Sequence, residues 1–171
     1  MSQPPVVGII MGSDSDLKVM SEAAKILEEL EVSHEVRIIS AHRTPEIMTK
    51  YAQEALNRGL KVIIAGAGGS AHLPGMTASE TVLPVLAVPV KSDNSDHEAL
   101  WSNVKMPPGI PLATMPENGA KNAALLAIEI LALSDSKLLE RYIGYRKLMH
   151  DDVLSKDSAV VRNGWKKYLG R

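Results

Sequence analysis

The chain has 171 residues, 45% hydrophobic and 23% charged, with a net charge of -1 and no cysteine. That length makes a single domain, 1–171, with a proper core and leaves no room for separate cofactor and substrate domains. The balanced charge, without a Lys/Arg run, excludes a nucleic-acid or membrane footprint, and the missing cysteine excludes disulfides, Cys metal sites and thiol catalysis. The opening Met-Ser-Gln-Pro-Pro carries no signal peptide, which predicts a cytoplasmic protein, and the absence of Phe predicts an aliphatic core.

The first apolar run, Pro5 to Met11, predicts a strand closed by Gly12-Ser13-Asp14-Ser15-Asp16. Leu17, Met20, Ala24, Leu27 and Leu30 then recur at helical spacing. Ser13 with Asp16 three residues on reads as a capping box. The same residues also suit a ligand, with the Ser13 and Ser15 hydroxyls and the helix N-terminus holding a phosphate and Asp16 accepting from sugar hydroxyls. A second strand, His34 to Ser40, uses Val36, Ile38 and Ile39 and ends in Ser40-Ala41-His42-Arg43. Thr44 and Pro45 open a helix that buries Ile47, Met48, Tyr51, Ala52 and Ala55 and stops at Gly59. His42 and Arg43 have no capping task, and Arg43 beside a helix N-terminus is suited to phosphate.

Lys61 to Met76 is the third unit: an apolar run, Val62-Ile63-Ile64, ends in Gly66, Gly68 and Gly69, and His72 and Pro74 begin a helix continuing to Val82. Gly66 to Ala71 fits the dinucleotide fingerprint G-x-G-x-x-A. Against that reading stand its place in the third unit, the distance to the next acidic residue, Asp93, and the interruption by His72 and Pro74. A fourth strand, Val85 to Val90, contains Pro89. Ser95 and Glu98 read as a capping box for a helix carrying Leu100, Trp101 and Val104. A short fifth strand near Leu112 to Met115 follows the stiff loop at 106–111. Asn118 then caps a helix from Ala120 to Leu133, aliphatic nearly all round, and a last helix spans Asp135 to Leu154. Trp165, Tyr168 and Leu169 in the tail 156–171 call for cover, which a neighbouring subunit supplies in a homo-oligomer.

Five alternations of strand and helix predict an α/β, doubly wound, parallel five-stranded sheet with C-terminal helices. Ligands of such sheets sit beyond the carboxyl ends of the strands. Three of those ends collect Gly12 to Asp16, Ser40 to Arg43 and Gly66 to His72, which predicts a pocket for a phosphorylated, sugar-bearing small molecule with histidine at its reacting end.

Three motifs also carry a resemblance: Met-Gly-Ser-x-Ser-Asp at 11–16, Ser-Ala-His-Arg-Thr-Pro at 40–45 and Ala-Gly-Ala-Gly-Gly-Ser-Ala-His-Leu-Pro-Gly-Met at 65–76. With Met-Pro-x-Gly-Ile-Pro at 106–111 and Asn-Ala-Ala-Leu-Leu-Ala at 122–127, the chain closely resembles the bacterial N5-carboxyaminoimidazole ribonucleotide mutases of purine biosynthesis, the PurE family. Ser70, where Ala is more frequent, and the stretch 96–105 depart from the family pattern. The resemblance implies a three-layer, flavodoxin-like domain assembled as an octamer, with no metal or organic cofactor. It implies that Ser13, Asp16 and Arg43 bind the ribose phosphate with Ser15 close by. Ser40, Ala41, Gly68, Gly69, Ser70, Ala71, His72 and Leu73 then line the rest of the substrate site, and His42 is the general acid and base. A related carboxylase, which adds free carbon dioxide to aminoimidazole ribonucleotide, shares Ser-Ala-His but has Lys where Arg43 stands and lacks the His-Leu-Pro of 72–74. Arg43 and that tripeptide therefore favour the mutase. A non-catalytic flavin- or nucleotide-binding module on the same fold is the alternative from another class, and it has no need of His42.

Overall fold

Five apolar runs become five strands in the structure, a computed structural model that describes residues 4–91 and 97–170. They are β1 (Val7–Met11), β2 (His34–Ile38), β3 (Val62–Gly68), β4 (Val85–Val90) and β5 (Ala113–Thr114), all parallel, in the order β2-β1-β3-β4-β5. Between them lie α1 (Leu17–Glu29), α2 (Pro45–Ala55), α3 (His72–Ser79) and α4 (Glu98–Val104), and α5 (Ala120–Ala132) follows β5. This strand order is that of the flavodoxin-like doubly wound sheet. The chain steps from β1 outward to β2 and then crosses back to β3 on the far side of β1. Right-handed crossovers therefore put α1 on one face and α2, α3 and α4 on the other. Ile10, Ile63, Ala65 and Val85 accordingly share one buried cluster with Tyr51 of α2, Ala78 of α3 and Ala99 of α4. Met20 of α1 meets Gly66 of β3 from the opposite face.

β1 and β4 are buried at every position, the near-continuous apolar pattern of strands covered on both faces. β2 departs from expectation: Val36 and Ile38 are exposed, because β2 is the sheet edge, and only Ile39 just beyond it is buried. On α2, Met48, Tyr51, Ala52 and Ala55 form the buried stripe, but Ile47 lies off it and is exposed. Thr44 is the N-cap of α2 by position alone, since its hydroxyl bonds the Ser40 backbone instead, accepting from N–H and donating to C=O, both at 3.1 Å. Pro89 is tolerated inside β4 because its C=O accepts from Asn118 N (2.8 Å) on the β5 side. Its missing N–H faces the same side, beyond the end of the two-residue β5.

α3 stops at Ser79, earlier than the expected Val82. Ser95, the expected cap of α4, lies outside the described residues; α4 starts at Glu98 behind His97 in left-handed backbone (φ 58°). It buries Ala99 and Asn103 and leaves Trp101 and Val104 outward. Ahead of α5, the Asn118 side-chain Oδ1 accepts from Lys91 N at 3.0 Å. α5 is buried along Ala120, Ala123, Ala124, Ala127 and Ile128 but exposes Lys121, Asn122 and Glu129, so it is one-sided rather than buried all round.

The chain divides into two compact units, residues 1–131 and 132–171. The second consists chiefly of α6 (Ser136–Asn163), capped by the Asp135 carboxylate, which accepts from the N–H groups of Lys137 and Leu138. α6 runs well past the expected Leu154 and ends at Gly164 (φ 75°), where α7 (Trp165–Tyr168) begins. Trp165, Tyr168 and Leu169 are exposed.

One glycine of β1 carries a stability prediction. A Cβ at Gly8 would stand 2.1 Å from the Tyr51 hydroxyl, which donates to Glu35 Oε1 (2.9 Å), and Glu35 in turn pairs with Arg58 at 2.6 Å. Burial, with Glu35 adding to it, pushes the Tyr51 phenol pKa up, so Tyr51 remains a donor. Gly8→Ala should cost about 1–3 kcal/mol by overpacking, measured as a lowered midpoint in denaturant unfolding.

Candidate active site

The strand order reverses between β1 and β3, and beyond the carboxyl ends of those strands and their neighbours lies a cavity of about 670 Å³. It is lined by Ser13, Ser15, Asp16, Ser40, Ala41, His42, Arg43, Gly68, Gly69, Ala71, His72 and Leu73. All but one of the residues singled out in the sequence therefore meet here; Ser70 is not among the lining residues.

The β1 end supplies the acidic corner. Ser13 caps the 3-10 turn Asp14–Asp16 in a complete capping box: its Oγ accepts from Ser15 N (3.3 Å), and Asp16 Oδ2 accepts from Ser13 N (3.1 Å). Capping and cavity lining thus fall to the same residues, since Asp16 lines the cavity while one of its oxygens holds the cap. Burial is the strongest influence on the Asp16 carboxyl and pushes its pKa up, against the Ser13 N–H, the Ser15 hydroxyl and the Arg43 charge, which pull it down. A pKa raised on folding means that the native state binds this proton more tightly than the unfolded chain does. The resulting stability is complete below the unfolded value and is lost as pH rises through the folded one. The difference in unfolding midpoint between wild type and Asp16→Asn should therefore move against wild type as pH rises above the ordinary carboxylate range and through the raised folded value, whatever the constant offset from the altered cap.

The β2 end supplies the basic corner. Arg43 Nη2 donates to the Gly12 carbonyl (2.7 Å), and its backbone N and Nε both donate to Ser40 Oγ (3.2 Å each). These bonds tie the loop after β2 to the loop after β1 and leave further guanidinium N–H groups for a ligand.

At the β3 end the backbone stays bare for a physical reason. Gly66 is still within the strand, paired with Val88, and a Cβ there would lie 2.2 Å from Met20 Sδ. Gly66 is thus not the tight-turn glycine that a dinucleotide fingerprint needs, which counts against that reading. Gly68 has the Val90 carbonyl only 3.2 Å from its would-be Cβ, and Gly69 has φ 57°. Ala71, the N-cap of α3, takes φ 41°, a left-handed conformation costing a non-glycine about 1–2 kcal/mol. His72 is the first residue of α3, and Pro74 falls where a missing N–H leaves no helical bond unmade.

The two histidines, 30 positions apart in sequence, touch: His42 Nε2 lies 2.9 Å from His72 Nδ1, with the rings edge to face at 5.0 Å. One nitrogen donates and the other accepts, so the pair shares a single proton across that contact. Among the described residues, no group of three or more His, Asp or Glu side chains is placed to hold a metal ion, and no helix is long and apolar enough to cross a membrane.

The AIR carboxylase family model matches residues 6–152. The chain belongs to the AIR carboxylase family. Among the relatives in this family, the N5-carboxyaminoimidazole ribonucleotide mutase of Pyrococcus abyssi is 55% identical over 166 residues, 96% of this chain and 95% of that protein. The chloroplastic phosphoribosylaminoimidazole carboxylase of Vigna aconitifolia is 51% identical over 96% of this chain, but the match spans only 30% of that longer protein. The crystal structure of Treponema denticola PurE superposes with a TM-score of 0.83 at 33% identity, covering 91% of this chain and 98% of that one.

The cavity has two lining residues outside the strand ends collected in the sequence, Val90 and Lys91. Lys91 matters more, because it adds a second cation beside Arg43. The signal was its position at the end of the fourth strand, next to β3, which the Pro89 break obscured. In the divergent stretch, Asp96 lies outside the described residues, and His97 Nδ1 meets Glu117 Oε2 at 2.8 Å.

Proposed function

We infer that the chain converts N5-carboxyaminoimidazole ribonucleotide to 4-carboxyaminoimidazole ribonucleotide, an intramolecular carboxyl transfer in purine biosynthesis. The observation that carries this reading is one cavity joining Ser13, Asp16 and Arg43 to the touching pair His42 and His72. Similarity to mutases along their full length supports it, whereas the carboxylase relative matches over less than a third of its length.

The chemistry needs one proton moved twice. His42, as the acid, protonates the exocyclic nitrogen of the carbamate; the N–C bond breaks and carbon dioxide leaves with no change in overall charge. The C4 carbon of the resulting aminoimidazole, nucleophilic like an enamine carbon, attacks the same carbon dioxide. His42 then removes the C4 proton, which restores aromaticity and returns the acid to its starting state. His72 Nδ1, accepting from His42 Nε2 at 2.9 Å, orients the ring. Arg43, with Ser13 and Ser15, holds the phosphate, and Asp16 accepts from the ribose hydroxyls. The bare backbone of Gly68 to Ala71, with Leu73, Ala41 and Ser40, encloses the carbon dioxide, and holding both reactants together is worth several kcal/mol, on the order of 7 or more in favourable cases. None of these steps calls on a cofactor.

We take 1–171 to function as one domain in a homo-octamer, with the tail packed on a neighbouring subunit. The family match running through residue 131 to residue 152 supports the first point. Exposed Val36, Ile38, Trp101 and Trp165 support the second. Sedimentation at micromolar concentration should give an oligomer, and a monomer there would contradict it. The phosphorylated, membrane-impermeant substrate supports a cytoplasmic location. The deciding assay supplies either the carbamate substrate or aminoimidazole ribonucleotide with bicarbonate. Turnover of the carbamate far above that of the second pair is expected, and the reverse preference makes the chain a carboxylase.

A further inference from the structure

The turn that delivers His72 to His42 is held from outside. Gly69 and Ala71 both have left-handed backbone, with φ 57° and 41°. A left-handed alanine relaxes unless its neighbours hold it. The peptide unit joining Ser70 to Ala71 is pinned at both ends: its N–H donates to the Gly68 carbonyl (3.1 Å), and its carbonyl accepts from the Ser102 hydroxyl of α4. Rotating that peptide plane, the motion by which Ala71 would leave its left-handed conformation, breaks both bonds at once.

α4 is a firm base for this contact. Ala99 is buried in the same core cluster as Ala71 and Leu73. Asn103, buried, donates from Nδ2 to the Ala99 carbonyl (2.6 Å), and its own carbonyl accepts from Thr114 Oγ1 (3.0 Å) on β5. Ser102 therefore reaches the turn from an element anchored both to the core and to the sheet.

We propose that Ser102 is a positioning residue for the reaction: by holding the Ser70 carbonyl it fixes the left-handed turn at Ala71, and with it the placement of His72 against His42. Its kinetic consequence rests on the mutase reading; its structural consequence does not. Ser102 touches no reacting atom, so its loss should appear in turnover and leave substrate binding alone.

The test compares wild type, Ser102→Ala and Ser102→Thr, the last keeping a hydroxyl on the same carbon. Two readouts are taken: kcat and KM for the carbamate substrate, and hydrogen exchange of the peptide covering 68–73 by mass spectrometry. Ser102→Ala should lose roughly tenfold in kcat with KM within about twofold and should exchange faster in that peptide, and Ser102→Thr should recover both. An unchanged kcat with unchanged exchange overturns the proposal, as does a loss confined to KM or a Thr variant as slow as the Ala variant. If wild type fails to turn over the carbamate, the mutase reading falls, and the exchange comparison alone decides whether Ser102 holds the turn.

Discussion

His42→Asn should bind the carbamate substrate nearly as wild type does and lose turnover on the order of a hundredfold or more. The geometry sharpens this expectation. The His42 atom that meets its partner is Nε2, and asparagine, which mimics only the Nδ1 side of the ring, removes it. The same reasoning protects the other histidine: in His72→Asn the amide oxygen falls near the lost Nδ1, so an acceptor for His42 survives and more activity remains. Because the two side chains touch, the double variant should be no slower than His42→Asn alone, a strongly non-additive pair. Turnover and binding of the three variants under saturating substrate make the measurement. A His42→Asn enzyme with near wild-type turnover would sink the assignment, and a His72→Asn enzyme slower than His42→Asn would exchange the two roles.

Arg43→Ala should act on binding instead. The guanidinium is exposed, so solvent screens its attraction to phosphate. About 2 kcal/mol, or near thirtyfold in KM, is the expected loss, toward the low end for a charge-assisted contact. Lys91 in the same cavity keeps the pocket cationic, which also argues for a partial loss. Arg43→Lys should recover little of it, because a lysine cannot reproduce both the Gly12 and the Ser40 tethers. An unchanged KM in Arg43→Ala would remove this residue from the site.

The fold was legible where burial is two-sided. Val62-Ile63-Ile64 and Val85 to Val90 read as strands because a central parallel strand has no polar face to confuse it. Legibility failed where neighbours decide. Val36 and Ile38 look like core residues, and only the strand order shows that β2 is an edge. Trp101 and Ala99 lie two positions apart on α4, and hydropathy favours burying the wrong one, because the space beside Ala71 and Leu73 admits only the smaller. α6 outran expectation because nothing polar in Ser155 to Asn163 forbids a helix; the stop is conformational, at Gly164. In the site, each residue type was readable beside its own strand end. The contact between His42 and His72 was not, since it depends on β1 separating β2 from β3 in the sheet and on the angle at which α3 leaves Ala71.

The edge position of β2 has a consequence for the life of the newly made chain. A lone protomer presents a strand with one free row of backbone N–H and C=O groups and with Val36 and Ile38 bare on the same side, a template for strand addition by another unfolded or half-folded chain. Arg37 and the Glu35–Arg58 pair are the charges that oppose such pairing. Neutralising them, as in Arg37→Val, should leave the folded fraction able to function yet send more of the product into inclusion bodies during expression, because aggregation competes for this strand before anything else covers it.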